Sequence, residues 1–370
     1  MAHAYTPGLR VTRHAVVHKQ RRLPLKGQVL VEVGQAVRRD QVVARTELPG
    51  EVSILNLVNR LGVTPAELPG YMLKKEGEAV AAGEPLAETR PLLKWFKTTV
   101  ESPVAGTVES ISGVTGQVMI RQAPSPVEVH AYVDGKVVEV LAGEGVNVEV
   151  RGALVQGIFG VGGEYWGTVH LAVADPGEAL ERVGPECQGK IVVGGSLITS
   201  QAIRQAREAG AVGVIGGGIR DQDLRQLLGY DLGVAITGAE DLGLAVIATE
   251  GFGEIAMARK TFELLRACQG REASLCGATQ IRAGVLRPEI IVPGEVGGGA
   301  PAPPHEAGLQ VGDVVRLIRL PYFGRLGKVS ALPAELQQME SETWVRALEV
   351  EFEDGARALV PRANVEAIEE

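Results

Sequence analysis

From residue 10 to about residue 173 the chain runs in short β-type stretches punctuated by glycine. Gln28-Val-Leu-Val-Glu-Val33, Val100-Glu-Ser-Pro-Val-Ala-Gly-Thr-Val108 and Val127-Glu-Val-His-Ala-Tyr-Val133 are examples. Apolar and polar residues alternate within several of them. That is the pattern of a strand with one wet face, because successive side chains point to opposite sides. Within this stretch the pattern predicts helix only over 54–61 and 64–68.

The period changes near Pro176. Lys190-Ile-Val-Val-Gly-Gly195 and Val212-Gly-Val-Ile-Gly216 read as buried strands, and Val234-Ala-Ile-Thr237 and Leu244-Ala-Val-Ile-Ala248 as further ones. Between them, Thr199 can cap a helix over 200–209 that stops at Gly210, and a short helix is predicted over 222–228. The longest predicted helix covers 254–268, with Ile255, Ala258, Phe262 and Leu265 near one face. Strands alternating with helices at this spacing imply a layered α/β domain. Pro293-Gly-Glu-Val-Gly-Gly-Gly-Ala-Pro-Ala-Pro-Pro304 then interrupts every regular element and reads as a linker. From Val311 the β pattern returns for about 55 residues, as in a small barrel.

Composition narrows the class. Of 370 residues, 45% are hydrophobic and 22% charged, which excludes wholesale disorder. The 48 glycines have no triplet period, which excludes collagen and implies many tight turns. Cys187, Cys268 and Cys276 cannot make a disulfide framework and match no common zinc spacing. With no apolar run long enough to span a bilayer and no signal-peptide pattern at residues 1–22, the sequence predicts a cytoplasmic protein without membrane insertion. The formal charge of −8 argues against a general nucleic-acid binder. Residues 1–40 are nevertheless basic, with eight cationic residues against Glu32 and Asp40, a local +6. This segment could meet nucleic acid, an acidic partner or the chain's own acidic surface.

No coherent catalytic set emerges. None of the six histidines falls in a metal-binding helix motif, no Gly-x-Ser-x-Gly elbow occurs, and Cys276 reads more readily as a small buried hydrophobe than as a nucleophile. Val155-Gln-Gly-Ile-Phe-Gly-Val-Gly-Gly-Glu-Tyr-Trp-Gly167 could form an anion-binding nest, but Glu164 opposes phosphate. A sharp turn at a sheet corner is the simpler reading. Gly216, Gly217 and Gly218 follow a strand and precede a helix, without the G-x-G-x-x-G order of a dinucleotide turn. With Thr237, Thr249, Glu250 and Arg282 they are the candidate lining of a small-ligand site. No catalytic residue, metal ligand or cofactor is assigned.

Three resemblances follow from motifs. Lys75-Glu-Gly-Glu-Ala-Val80, Gly83-Glu-Pro-Leu-Ala87 and Ser102-Pro-Val-Ala-Gly-Thr-Val108 resemble the biotinyl/lipoyl carrier family, and 28–112 carries that layout twice. The resemblance implies a barrel-sandwich hybrid. The lysine hairpin of that family is replaced by Glu88-Thr-Arg-Pro-Leu-Leu-Lys-Trp-Phe-Lys97, so no biotin or lipoyl group is expected on Lys94 or Lys97. Gly189-Lys-Ile-Val-Val193 with Ala202, Ala206 and Ala209-Gly-Ala-Val-Gly-Val-Ile215 is similar to swivelling β/α and protease-associated domains. Val311-Gly-Asp-Val-Val-Arg-Leu-Ile-Arg-Leu-Pro-Tyr-Phe-Gly-Arg-Leu-Gly-Lys-Val329 resembles a KOW motif, which implies an SH3-like barrel over 311–366 and RNA or protein binding. Its candidate contacts are Arg316, Arg319, Tyr322, Phe323, Arg325 and Lys328. The module itself carries seven basic against eleven acidic residues, which leaves RNA and protein partners equally open.

The expected organisation is multidomain, mainly β plus α/β. A basic N-terminal arm (1–27) precedes a carrier-like β-sandwich with a following β segment (28–175). An α/β domain (176–292), a Pro/Gly linker (293–310) and a KOW/SH3-like barrel (311–370) complete it. The expected function is non-catalytic binding or adaptor work. RNA binding through the KOW-like loop, or ligand binding or catalysis at the glycine-lined α/β crest, are the alternatives.

Overall fold

The computed structural model describes residues 9–369 apart from 90–96, 230–241, 280–285, 297–308, 318–320, 323–324, 334, 339–343 and 353. The fold is mainly β, in several sheets that include a half-barrel.

Its spine is the strand Leu9–Arg22, antiparallel to Gly145–Gln156 with Val11 opposite Val155 and Arg22 opposite Gly145. Leu9, Val11, Ala15 and Val17 point inward, while Val16 and His18 lie on the wet face. The basic segment expected as an arm over 1–27 therefore contains a strand of the central sheet. Its inward apolar positions supply the driving force, and three of its cations pair inside the chain. Arg21 pairs with Glu164, Arg22 with Glu144 and Lys19 with Glu289.

The next segment makes two smaller sheets. One joins Val52–Asn56, Gln117–Arg121, Gly106–Ile111 and Ala79–Val80, and the other joins Ser125–His130, Val42–Leu48 and Gln28–Val29. Leu57, Leu68, Leu86, Val108, Val118 and Ile120 form the core of the first. The helix expected over 54–61 occupies only Leu57–Leu61. Residues before it are held as strand by Gln117–Arg121, and the Asn56 side chain accepts the Asn59 N–H as a cap. Over 64–68 the Glu67 carboxylate instead accepts from Thr64, and a single helical turn begins at Leu68.

Beyond residue 176 the strands Lys190–Val193, Gly213–Ile219 and Ala245–Phe252 run parallel. Glu164–Leu171 adds to them on the side of Lys190–Val193. Thr199 caps the helix Ser200–Glu208, and a second helix spans Asp221–Leu228. The helix expected over 254–268 starts later, at Arg259–Ala267. Residues 254–258 stay out of the helix because their amides serve other partners: Ile255 N–H donates to Ser196 O and Met257 N–H to Pro176 O. The strand expected over 234–237 lies outside the described residues.

The last segment folds Val314–Leu317, Leu326–Ala331, Ala347–Phe352 and Arg357–Pro361 into an antiparallel order. Val365–Glu369 then pairs with Val314–Leu317 and, in parallel, with the start of Leu9–Arg22, Leu9 opposite Ile368. Among the described residues no helix is long and apolar enough to cross a membrane.

Candidate functional site

Ala245–Phe252 is buried along nearly its whole length, and it carries Thr249 and Glu250 near its end. A carboxylate placed there needs charged or hydrogen-bonding partners to offset its lost hydration. Glu250 accepts the Ala258 N–H at 3.0 Å, just ahead of the helix Arg259–Ala267, and pairs with the Arg316 guanidinium. Arg316 also donates to Thr249 O at 3.4 Å, and Thr249 Oγ1 lies 3.2 Å from both Gly216 O and a Glu250 carboxylate oxygen. Both charged side chains are almost fully buried, 6% exposed for Glu250 and 4% for Arg316.

This pair stands on the wall of a partly open pocket of about 270 Å³. Leu9, Val11, Ala258, Val314 and Leu326 supply apolar surface, and Gln156, Thr261, Arg259 and Lys260 join Thr249, Glu250 and Arg316 as its polar part. Three stretches of chain meet here: the first strand, the α/β layer and the C-terminal strands. A concave apolar site with a few convergent polar groups is the form that small-molecule sites commonly take.

The candidate residues named from sequence are redistributed. Arg316, expected to reach RNA or a partner, instead joins Thr249 and Glu250, expected to line a ligand site. Tyr322 packs on Phe352 with ring centroids 5.3 Å apart, and Arg325 stacks over the same ring at 3.8 Å while bonding Asp354 at 2.6 Å. Lys328 is exposed. Arg319, Phe323, Thr237 and Arg282 lie outside the described residues, as does Lys94. Lys97 pairs with Glu88 at 2.6 Å. Gly216, Gly217 and Gly218 sit within the strand Gly213–Ile219, and the crest above them is filled. A Cβ on Gly217 would lie 2.0 Å from Ile255 O, and one on Gly218 2.2 Å from Gly253 O. The glycines there let residues 253–257 lie directly on the strand. The glycine run at 157–167 is likewise packed: Gly160 N–H donates to Thr279 Oγ1 at 2.8 Å, and Gly162 turns with φ of 99° against Leu244 O.

A second polar cluster surrounds Tyr132. It is the one non-glycine among the described residues with positive φ, 70°, and its side chain is buried. Its hydroxyl donates to Glu289 at 3.3 Å, and Ser274 Oγ donates to its carbonyl at 2.6 Å. Lys19 pairs with Glu289, and Arg21 lies 5.4 Å from the Tyr132 ring while forking onto Glu164 at 2.6 Å. Burial first, then the Glu289 charge, raises the Tyr132 hydroxyl well above its usual pKa. Burial also pushes the neighbouring Cys276 thiol up to about 11. At neutral pH that thiol stays protonated, which counts against the nucleophile reading.

The pocket's apolar wall could not be read from the sequence, since Leu9 and Val11 lie 241 and 239 residues from Glu250. A cue existed for both clusters. Glu250 follows Leu-Ala-Val-Ile-Ala-Thr, and Glu289 opens Glu-Ile-Ile-Val. A carboxylate inside a strand of that kind requires a cation from elsewhere.

No family model matches the chain, and no curated protein matches it.

Proposed function

We propose that the chain is a non-catalytic binding protein that holds a small molecule in the pocket beside Glu250 and Arg316. One observation carries the reading: residues singled out for two separate binding roles, Thr249 and Glu250 on one side and Arg316 on the other, line the same pocket of about 270 Å³. A buried ion pair on an apolar wall is a poor way to gain stability and a good way to fix orientation. The same pairing weakens the RNA alternative, because Arg316 is committed to Glu250 and Arg325 to Asp354 and Phe352.

The finer architecture is part of this proposal. The antiparallel order over 314–361, closed by 365–369, suits an SH3-like barrel. The two small sheets over 28–130 suit a barrel-sandwich hybrid, and the parallel strands over 190–252 suit a layered α/β domain. In this reading the three are bound into one platform with the pocket at their junction, in keeping with a cytoplasmic protein that partners small molecules or proteins.

The test uses N-phenyl-1-naphthylamine, a neutral probe whose fluorescence rises in apolar sites. The full chain should bind one probe per molecule, and Leu326→Trp or Val314→Phe, each filling the pocket, should abolish the signal while the thermal melt persists. Enhancement unaffected by both substitutions would place the probe elsewhere and remove the reading.

A further inference from the structure

An unpaired strand edge invites another chain, and proteins guard it with charge, proline or shortness. Three of the four edges of the two small sheets are guarded in this way. Ala79–Val80 and Gln28–Val29 are two residues long, and Ser125–His130 carries Pro126 and Glu128. The fourth edge is Val52–Asn56, paired among the described residues only with Gln117–Arg121. Its residues, Val-Ser-Ile-Leu-Asn, hold no charge and no proline. Val52 and Ile54 are 38% and 58% exposed.

The register fixes which main-chain groups are open. Gln122 N–H donates to Glu51 O at 2.9 Å, and Leu57 N–H donates to Gly116 O at 3.1 Å. In an antiparallel pair every second residue bonds its neighbour, so Ser53 and Leu55 spend their amides on Gln117–Arg121. Val52 and Ile54 turn theirs outward. Their side chains share one face of the sheet, where Met119 stands opposite Ile54. Charge appears only at the two ends. Glu51 precedes the strand, and Arg60 sits in the last turn of the helix Leu57–Leu61 that follows it. Both are exposed, and among the described residues neither has an ion-pair partner.

We propose that Val52–Asn56 pairs antiparallel with the same strand of a second copy of this chain, about a two-fold axis at Ile54. A two-fold interface uses one patch twice, so the patch must complement itself. This one does. Ile54 meets its own copy, exchanging two main-chain hydrogen bonds and doubling the Met119–Ile54 stripe. Val52 falls opposite the partner's Asn56. Glu51 falls opposite the partner's Leu57, one helical turn from the partner's Arg60, so each end of the seam brings a carboxylate toward a guanidinium. Two sheets of four strands become one of eight. A strand of other sequence finds the same main-chain groups but answers both charges only if it carries the opposite ones in the same order. The interface is independent of the pocket beside Glu250.

Sedimentation equilibrium of the full chain from about 5 to 200 µM should show a monomer–dimer equilibrium, as suits a small interface. Ile54→Lys sets two like charges on the axis. Val52→Pro removes an outward N–H at the first residue of the strand, a position where proline is tolerated. Each variant should stay monomeric throughout that range. Melting temperatures check that both fold, and the two act by different means, so loss of fold in one leaves the other as the test. Glu51→Lys should weaken the dimer about fivefold, because the contact occurs twice, and adding Arg60→Glu should restore it. A parent chain that is monomeric at the top of the range, or a dimer indifferent to both Ile54→Lys and Val52→Pro, would overturn the proposal. Charge reversal without rescue would overturn the two-fold register.

Discussion

Glu250 and Arg316, 66 residues apart in sequence, form a buried ion pair that joins the α/β layer to the C-terminal strands. Removing one member of such a pair strands the other charge away from water, which costs about 3–5 kcal/mol. Arg316→Met alone should therefore destabilise strongly. Adding Glu250→Gln should recover part of the loss, since both charges are then gone. Chemical denaturation of the two variants beside the parent checks this. A double variant no more stable than Arg316→Met would mean that the pair itself, rather than its stranded charge, sets the stability.

Tyr132→Phe deletes the hydroxyl that donates to Glu289 and leaves the ring in place. A hydrogen bond to a charged acceptor contributes about 1.5–3 kcal/mol, and Lys19 still pairs with Glu289, so the lower end is expected. Lys19→Met should cost more, because Glu289 is largely buried and would lose its cation. Urea midpoints for the two variants should fall in that order.

Gly217→Ala should be among the most damaging alanine substitutions in the chain, since the new methyl meets backbone at 2.0 Å. Relief requires residues 253–257 to move off the strand, at a cost of about 3 kcal/mol or more. Gly163→Ala, where nothing lies within 4 Å, should be close to neutral. Thermal melts of the pair give the contrast, and equal melting temperatures would contradict the filled crest.

Cys268 and Cys276 titrate near 11 in the folded chain because burial disfavours the thiolate, against 9.0 for an unhindered thiol. Below pH 9 both states are protonated and the stabilisation is constant. As pH rises from 9 to about 11 the unfolded chain releases these protons and the folded one keeps them, so stability falls across that window. Melting temperatures at pH 8 and at pH 10.5 should show a drop that shrinks in Cys268→Ala with Cys276→Ala. Alkylation by iodoacetamide should be slow at pH 8.

Fluorescein-labelled single-stranded RNA should not bind with the steep salt dependence of a phosphate-reading surface between about 50 and 200 mM salt. Anisotropy that falls with salt and vanishes on Arg325→Glu with Lys328→Glu would restore the RNA alternative.

Much of the fold was legible wherever a local rule applies. Thr199 announced its helix because a hydroxyl before an apolar period caps the orphan amides. The strand at Lys190–Val193 announced itself as a run with no polar face. Where several partners compete for the same backbone, local pattern failed. Residues 254–258 carry helical spacing, yet their amides serve Ser196, Pro176 and Glu250. Residues 9–22 carry enough charge to suggest a basic arm, yet Leu9, Val11, Ala15 and Val17 face inward and Lys19, Arg21 and Arg22 find carboxylates far along the chain. Thr249 and Glu250 were legible as site residues and Arg316 as a binding residue. Their meeting was not, because it depends on how the last strands close onto the first.

That closure sets the order of events at the ribosome. Leu9 leaves the exit tunnel 359 residues ahead of its parallel neighbour Ile368. Until the strands over 314–369 emerge, Leu9 and Val11 have none of them to face, and Glu250 waits 66 residues for its arginine. A nascent chain therefore exposes a greasy edge over that long interval and a lone carboxylate over the shorter one. Maturation of the cavity waits on Val365–Glu369 and is sensitive to any truncation that removes that strand.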